Sequence, residues 1–215
     1  MTELLARGTV VLDGGLSNAL ENRGHDLSSA LWTARLLRDD PGEIVAVHRA
    51  YFAAGARVAT TASYQASVPG LVAAGASHRE AEALITASVR LAREARDQAA
   101  PHTEVPLFVA ASVGPYGAAR ANGSEYQGRY GRTAAQLRAF HGPRLELLAA
   151  AGPDLLAVET IPTPTRRRCW CRCSTRSRCR HSSATPWRTA PPGPTSHSHR
   201  RTKSCTAVPR SAPPA

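Results

Sequence analysis

The chain has 215 residues and a formal charge of +11, an average that suggests an anionic partner. The average hides two unlike segments. Residues 1–162 carry 15 arginines, no lysine and 16 carboxylates, a net −1, whereas residues 163–215 carry 11 arginines, one lysine and no carboxylate, a net +12. The first segment is near-neutral and free of cysteine, has no apolar run of the roughly 18 residues a membrane span needs, and starts without the apolar core of a signal peptide. That is the profile of one ordinary soluble domain in the cytoplasm.

Residues 9–12 (TVVL) are apolar and lead into Asp13-Gly14-Gly15. β-Branched residues followed by a carboxylate and two glycines predict a buried strand entering a tight loop. Asp13 reads equally well as a turn former, a helix cap or a functional strand-end carboxylate. Residues 16–39 hold a helical stretch, then Gly24-His25-Asp26, then LWTARLLRDD, with Trp32 in a connection. A tryptophan there is usually packing and sometimes a ligand wall. Asp40-Pro41-Gly42-Glu43 predicts a helix start, with Asp40 as N-cap, Pro41 at the first position and Glu43 at the third. Ile44, Val47, Tyr51 and Ala54 follow at helical spacing, and Gly55 stands just past the end. His48 is expected to be solvated or to act as a cap.

Residues 57–62 (RVATTA) predict a second strand, ending in Ser63-Tyr64-Gln65. Ser77 and Glu80 form a capping-box pattern that opens a helix through Leu84, Ile85, Leu91 and Ala95 to about Ala99. Residues 105–111 (VPLFVAA) predict a third strand that delivers Ser112-Val113-Gly114-Pro115-Tyr116-Gly117. A polar loop runs to about Arg132. Thr133 with Gln136 opens another helix carrying Leu137, Phe140, Leu145 and Leu148, closed by Gly152. Residues 154–158 predict a fourth strand, and Glu159 follows it.

Four apolar strands alternating with helices predict an α/β fold with a parallel sheet covered on both faces. A doubly wound sheet and a (β/α)8 TIM barrel both begin this way. Every strand delivers polar or glycine-rich residues at its C-terminal end, which is where barrel enzymes build their sites. That feature favours the barrel, of which these units, about four βα units, would be the N-terminal half. There is no G-x-G-x-x-G after the first strand, and no P-loop, H-E-x-x-H or G-x-S-x-G.

Four stretches, LDGGLSNALENRGHDLSSALWTARLL, VATTASYQAS, AASVGPYGAARANGSEYQGRYG and LLAVETIP, together resemble the homocysteine S-methyltransferases. The resemblance is to the bacterial type that uses S-methylmethionine or S-adenosylmethionine, and it covers about residues 8–162. It implies a (β/α)8 barrel that transfers a methyl group from the sulfonium donor to the homocysteine thiol, giving methionine. It also implies zinc, held by cysteine thiolates from an Asn-Cys pair and a Gly-Gly-Cys-Cys motif, which keeps the substrate sulfur as thiolate. By the same resemblance, Asp13 and Glu159 would accept from the homocysteine ammonium. Gly14 and Thr60 would help fix the substrate, and Trp32 and Tyr64 would face the donor cation.

The family's zinc motifs are absent from this sequence, so no metal ligand is assigned. All five cysteines lie in residues 163–215, and Cys169-x-Cys171-x-Cys173 lacks the usual Cys-x-x-Cys spacing. That segment is rich in Arg, Pro, Ser and Thr and is expected to be disordered. It is also expected to be out of frame: an arginine codon CGN read one base earlier becomes one for Ala, Pro, Ser or Thr, and a cysteine codon becomes one for Leu, Val or Met. The chain on its own is therefore expected to be inactive. The alternative is a fragment whose basic tail binds nucleic acid or anionic surfaces without specificity. Trp170 and Trp187 are too isolated for a base-stacking platform, so no specific nucleic-acid recognition is expected.

Overall fold

A computed structural model describes residues 8–28, 32–120 and 122–160, the side chains of residues 32–34 excepted. The expectations for residues 163–215 (disorder, frame, zinc, anionic partners) lie outside the described residues. So does the side chain of Trp32. Among the described residues, no helix is long and apolar enough to cross a membrane.

The elements are α1 (Leu16–Glu21), α2 (Trp32–Asp39), α3 (Pro41–Ala53), β1 (Val58–Thr60), α4 (Val68–Ala73), α5 (His78–Ala99), β2 (Phe108–Val113), α6 (Ala134–Ala150) and β3 (Leu155–Val158). The three strands form one parallel sheet in the order β1-β2-β3. Thr60 sits opposite Ala110, and Ser112 and Val113 sit opposite Ala157 and Val158. Residues 11–13 add a further parallel segment beside β1. Leu12 bridges Val58, the Asp13 amide donates to the Val58 carbonyl at 3.0 Å, and the Arg57 amide donates to the Val11 carbonyl at 2.8 Å. The segments thus follow one another across the sheet in chain order.

Apolar stripes at helical spacing bring the helices onto the sheet. Ile44, Val47 and Phe52 of α3, Ile85, Val89 and Ala92 of α5, and Leu145 and Leu148 of α6 join one core with Val109, Ala111, Val113 and Leu156. Ser77 caps α5 by accepting from the Glu80 amide at 3.2 Å. Thr133 and Gln136 form a reciprocal capping box on α6.

Several expectations are corrected. The first strand is a single bridge rather than a buried strand, and Val11 and Leu12 are 55% and 60% exposed. Among the described residues it pairs on one side only, so its apolar side chains lie at an edge. Trp32 opens α2 instead of lying in a connection. Asp40 makes no side-chain cap on α3. Glu43 is instead drawn away by Arg23, at 2.5 and 2.9 Å, and by His25, at 3.2 Å. β2 lies C-terminal to its predicted span, because its register with β3 continues to Val113 opposite Val158. α4 was not expected at all. Ser67 caps it by accepting from the Gly70 amide at 3.2 Å.

Candidate substrate site

The C-terminal ends of the parallel segments gather five of the six expected site residues. Asp13 leaves the Leu12 bridge with its side chain turned toward β1. The Thr60 amide donates to Asp13 Oδ2 at 2.6 Å, and the Thr60 hydroxyl donates to Asp13 Oδ1 at 2.7 Å. The carboxylate is 4% exposed. Burial raises its pKa from the ordinary carboxylate range to about 6; the Thr60 bonds oppose the rise and the nearby Glu159 charge adds to it.

Glu159 follows β3. Its Oε1 accepts from the Ser112 hydroxyl at 2.6 Å, and its amide donates to the Val113 carbonyl at 3.3 Å. Burial pushes this carboxyl up as well, against the Ser112 bond and the positive charge of Arg144, which lower it. Thr160, next in the chain, has a φ of +50°. A β-branched residue rarely takes this left-handed conformation, and such strain concentrates at functional sites. The Tyr64 hydroxyl donates to Thr160 Oγ1 at 3.0 Å and so sits beside Glu159. Burial raises the Tyr64 phenol above its usual pKa, with the Glu159 charge among the smaller contributions.

Gly14 is placed by close approach. A Cβ there would stand 2.8 Å from the Tyr51 hydroxyl and 3.0 Å from its ring. The same hydroxyl donates to the Gly15 carbonyl at 3.1 Å. A side chain at position 14 would push Tyr51 away and release the loop that carries Asp13. Trp32 is the one expected residue whose position at the site is not described.

Three further contributors were given no site role by the sequence reading. His48 is corrected from a solvated or capping residue. It is fully buried on α3, with Nδ1 3.9 Å from Asp13 Oδ2, beyond hydrogen-bond range. Neither of its ring nitrogens has a hydrogen-bond partner among the described residues. Burial pushes its pKa down to about 4, so it is neutral at pH 7. Its signal was position: four residues after Ile44, it falls on the apolar stripe. Ser112 lies in β2, not in the loop where the sequence placed it. Arg144 is 1% exposed on α6, seven residues after Leu137 and therefore on the same buried face.

The arrangement presents two desolvated carboxylates, each held by hydroxyl donors and each with a pKa pushed upward. Such a pair favours a cationic group that donates hydrogen bonds, an ammonium above all. Among the described residues, no group of three His, Cys, Asp or Glu side chains could hold a metal ion. The described residues therefore do not fit a zinc centre, and no chemical step is routed through one.

The sequence model of the family described as Homocysteine S-methyltransferase matches residues 10–186, a range that runs past residue 162. Homocysteine S-methyltransferase 4 of Zea mays is 49% identical over 73% of this chain and 48% of its own length. The homocysteine S-methyltransferase of Escherichia coli is 48% identical over 71% of this chain and 50% of its own. The crystal structure of the Escherichia coli homocysteine methyltransferase in its metallated form superposes with a TM-score of 0.79 at 43% identity, covering 83% of this chain and 64% of that one. The apo form gives 0.66 at 36% identity, covering 83% and 60%. The chain spans about half the length of the curated relatives it matches. With the family model matched across most of its length, this chain belongs to the homocysteine S-methyltransferase family.

Proposed function

We propose that these residues grip homocysteine by its α-amino group. They supply the amino-acid-binding half of a site for methyl transfer from S-methylmethionine or S-adenosylmethionine. In that reaction the homocysteine sulfur bonds to the methyl carbon as the bond from carbon to the sulfonium sulfur breaks. The donor leaves as a neutral sulfide, the thiol proton goes to solvent, and methionine is formed. One observation carries the reading: Asp13 and Glu159 are buried at the ends of parallel segments, close enough for the charge of one to raise the pKa of the other. An ammonium between them would relieve that repulsion and replace lost hydration. Thr60 holds Asp13 and Ser112 holds Glu159, so both acceptors are oriented before substrate arrives. Tyr64 would turn its ring toward the sulfonium, and Trp32 would join it there. The family's zinc motifs are not in this sequence, so the reading for this chain is substrate grip rather than thiol activation.

The same reading makes these residues the first half of a (β/α)8 barrel in a cytoplasmic enzyme. Parallel segments that succeed one another in chain order support it, since a doubly wound sheet reverses direction at a switch point. It also treats residues 163–215 as read from a neighbouring frame, which sequencing the gene across codons 161–168 tests.

The substrate reading is tested by calorimetric titration of the purified chain with homocysteine and with 4-mercaptobutanoate, which lacks only the amine. A charge-assisted hydrogen bond contributes about 1.5–3 kcal/mol, so the amine is expected to tighten binding at least about tenfold. Equal affinity for the two ligands refutes the reading.

A further inference from the structure

Arg144 stands in the core, on the face of α6 that also buries Leu137, Leu145 and Leu148. A guanidinium stays charged at any ordinary pH, so burying one is costly unless its donors are met. Its two terminal nitrogens are met by main-chain carbonyls from two separate loops. Nη2 donates to the carbonyls of Ser63, at 2.6 Å, and Tyr64, at 2.7 Å, both just past β1. Nη1 donates to the carbonyl of Gly114, at 3.2 Å, just past β2. One planar fork therefore ties together two strand ends that carry site residues. The fit at this tie is close: a Cβ on Gly114 would collide with the Tyr64 carbonyl oxygen and meet its ring at 2.8 Å.

The same guanidinium acts on Glu159 through its charge. The described groups around that carboxylate include the Ser112 hydroxyl from β2, Asp13 from the first segment, the Tyr64 phenol from the loop after β1, and Arg144 from α6. Arg144 is a cation among them.

We propose that Arg144 is a positioning residue of the substrate site: its charge acts on Glu159, and its three-carbonyl fork fixes Tyr64 and Gly114 in place. The binding consequence rests on Glu159 belonging to the amine site, as proposed above. The charge effect on Glu159 does not.

Two substitutions in the full chain separate charge from geometry. Arg144→Gln removes the charge. The titration midpoint of the Glu159 carboxyl, read by 13C NMR without ligand, is expected to rise. Arg144→Lys keeps the charge and loses the fork. Its Glu159 midpoint is expected to stay at the wild-type value while homocysteine affinity falls about tenfold, the scale of one lost charge-assisted bond. A folded Arg144→Gln protein with an unmoved midpoint overturns the proposal, as does Arg144→Lys with wild-type affinity. If Arg144→Gln does not fold, Arg144→Lys decides alone. If the wild-type chain binds no homocysteine, the substrate reading fails and the ligand-free titration still decides the role of Arg144.

Discussion

At Asp13, burial competes with hydrogen bonding, and burial wins. Two donations from Thr60 hold the carboxylate, yet its pKa still rises to about 6 from an ordinary 3.8. Between those values the folded chain binds a proton that the unfolded chain has released. Stability therefore falls as pH rises through that window; the penalty is absent below it and complete above about pH 6. Its size is roughly 3 kcal/mol at most. Asp13→Asn removes the charge and is expected to raise the melting temperature above pH 7 by roughly 2–4 °C per kcal/mol relieved, with no gain near pH 4. Thermal melts at the two pH values check this, and an equal gain at both would contradict it. The roles proposed for Asp13, Thr60, Tyr64 and Glu159 came from the family resemblance, whereas their placement at the ends of segments was legible in the sequence, because each stands near the point where an apolar run gives way to polar residues. His48 and Arg144 were not, because a polar residue on a buried stripe looks like a solvated one until its surroundings are known.

The helices show how far local patterns reach. Ser77 and Thr133 cap α5 and α6 as their spacing predicts. The pattern Asp40-Pro41-Gly42-Glu43 is equally good, yet Asp40 makes no side-chain cap, and the Glu43 carboxylate that would complete a capping box is held by Arg23 and His25, which keep its pKa down at about 2. Those partners lie 20 and 18 residues away, beyond the range of any capping motif. α4 escaped because it spans six residues among small side chains, too few for a periodic signal. Its trace was Ser67 two residues before Pro69, a cap followed by a proline in the first turn. On α6 the capping box is complete, with Thr133 accepting from the Gln136 amide at 3.2 Å and Gln136 accepting from the Thr133 amide at 2.9 Å. Thr133→Ala is expected to cost about 1 kcal/mol in urea unfolding. An unchanged midpoint would show that packing alone holds the start of this helix.

At the scale of the described fold, the parallel α/β plan was legible because strand and helix patterns alternate from residue 9 to residue 159, even though α4 gave no periodic signal. Strand length was less so. β1 and β3 have three and four residues, and the first segment is a single bridge, since pairing between neighbours sets where a ladder starts and stops. The ends of those segments bring Asp13, Thr60, Ser112 and Glu159 together from separate parts of the chain, which is what the proposed substrate site requires. The central claim is that Asp13 and Glu159 accept from the amine of homocysteine, and it has a pH signature. Asp13 titrates near 6, so the wild-type chain gains its acceptor charge as pH rises through that value. The most direct test is the dissociation constant of homocysteine measured calorimetrically from about pH 5 to pH 8, where the ligand's own amine stays protonated. The account predicts binding that tightens by about tenfold or more through a midpoint near 6, and a much flatter profile in Asp13→Asn. Wild-type binding that does not change across this range, or that Asp13→Asn reproduces, would contradict it.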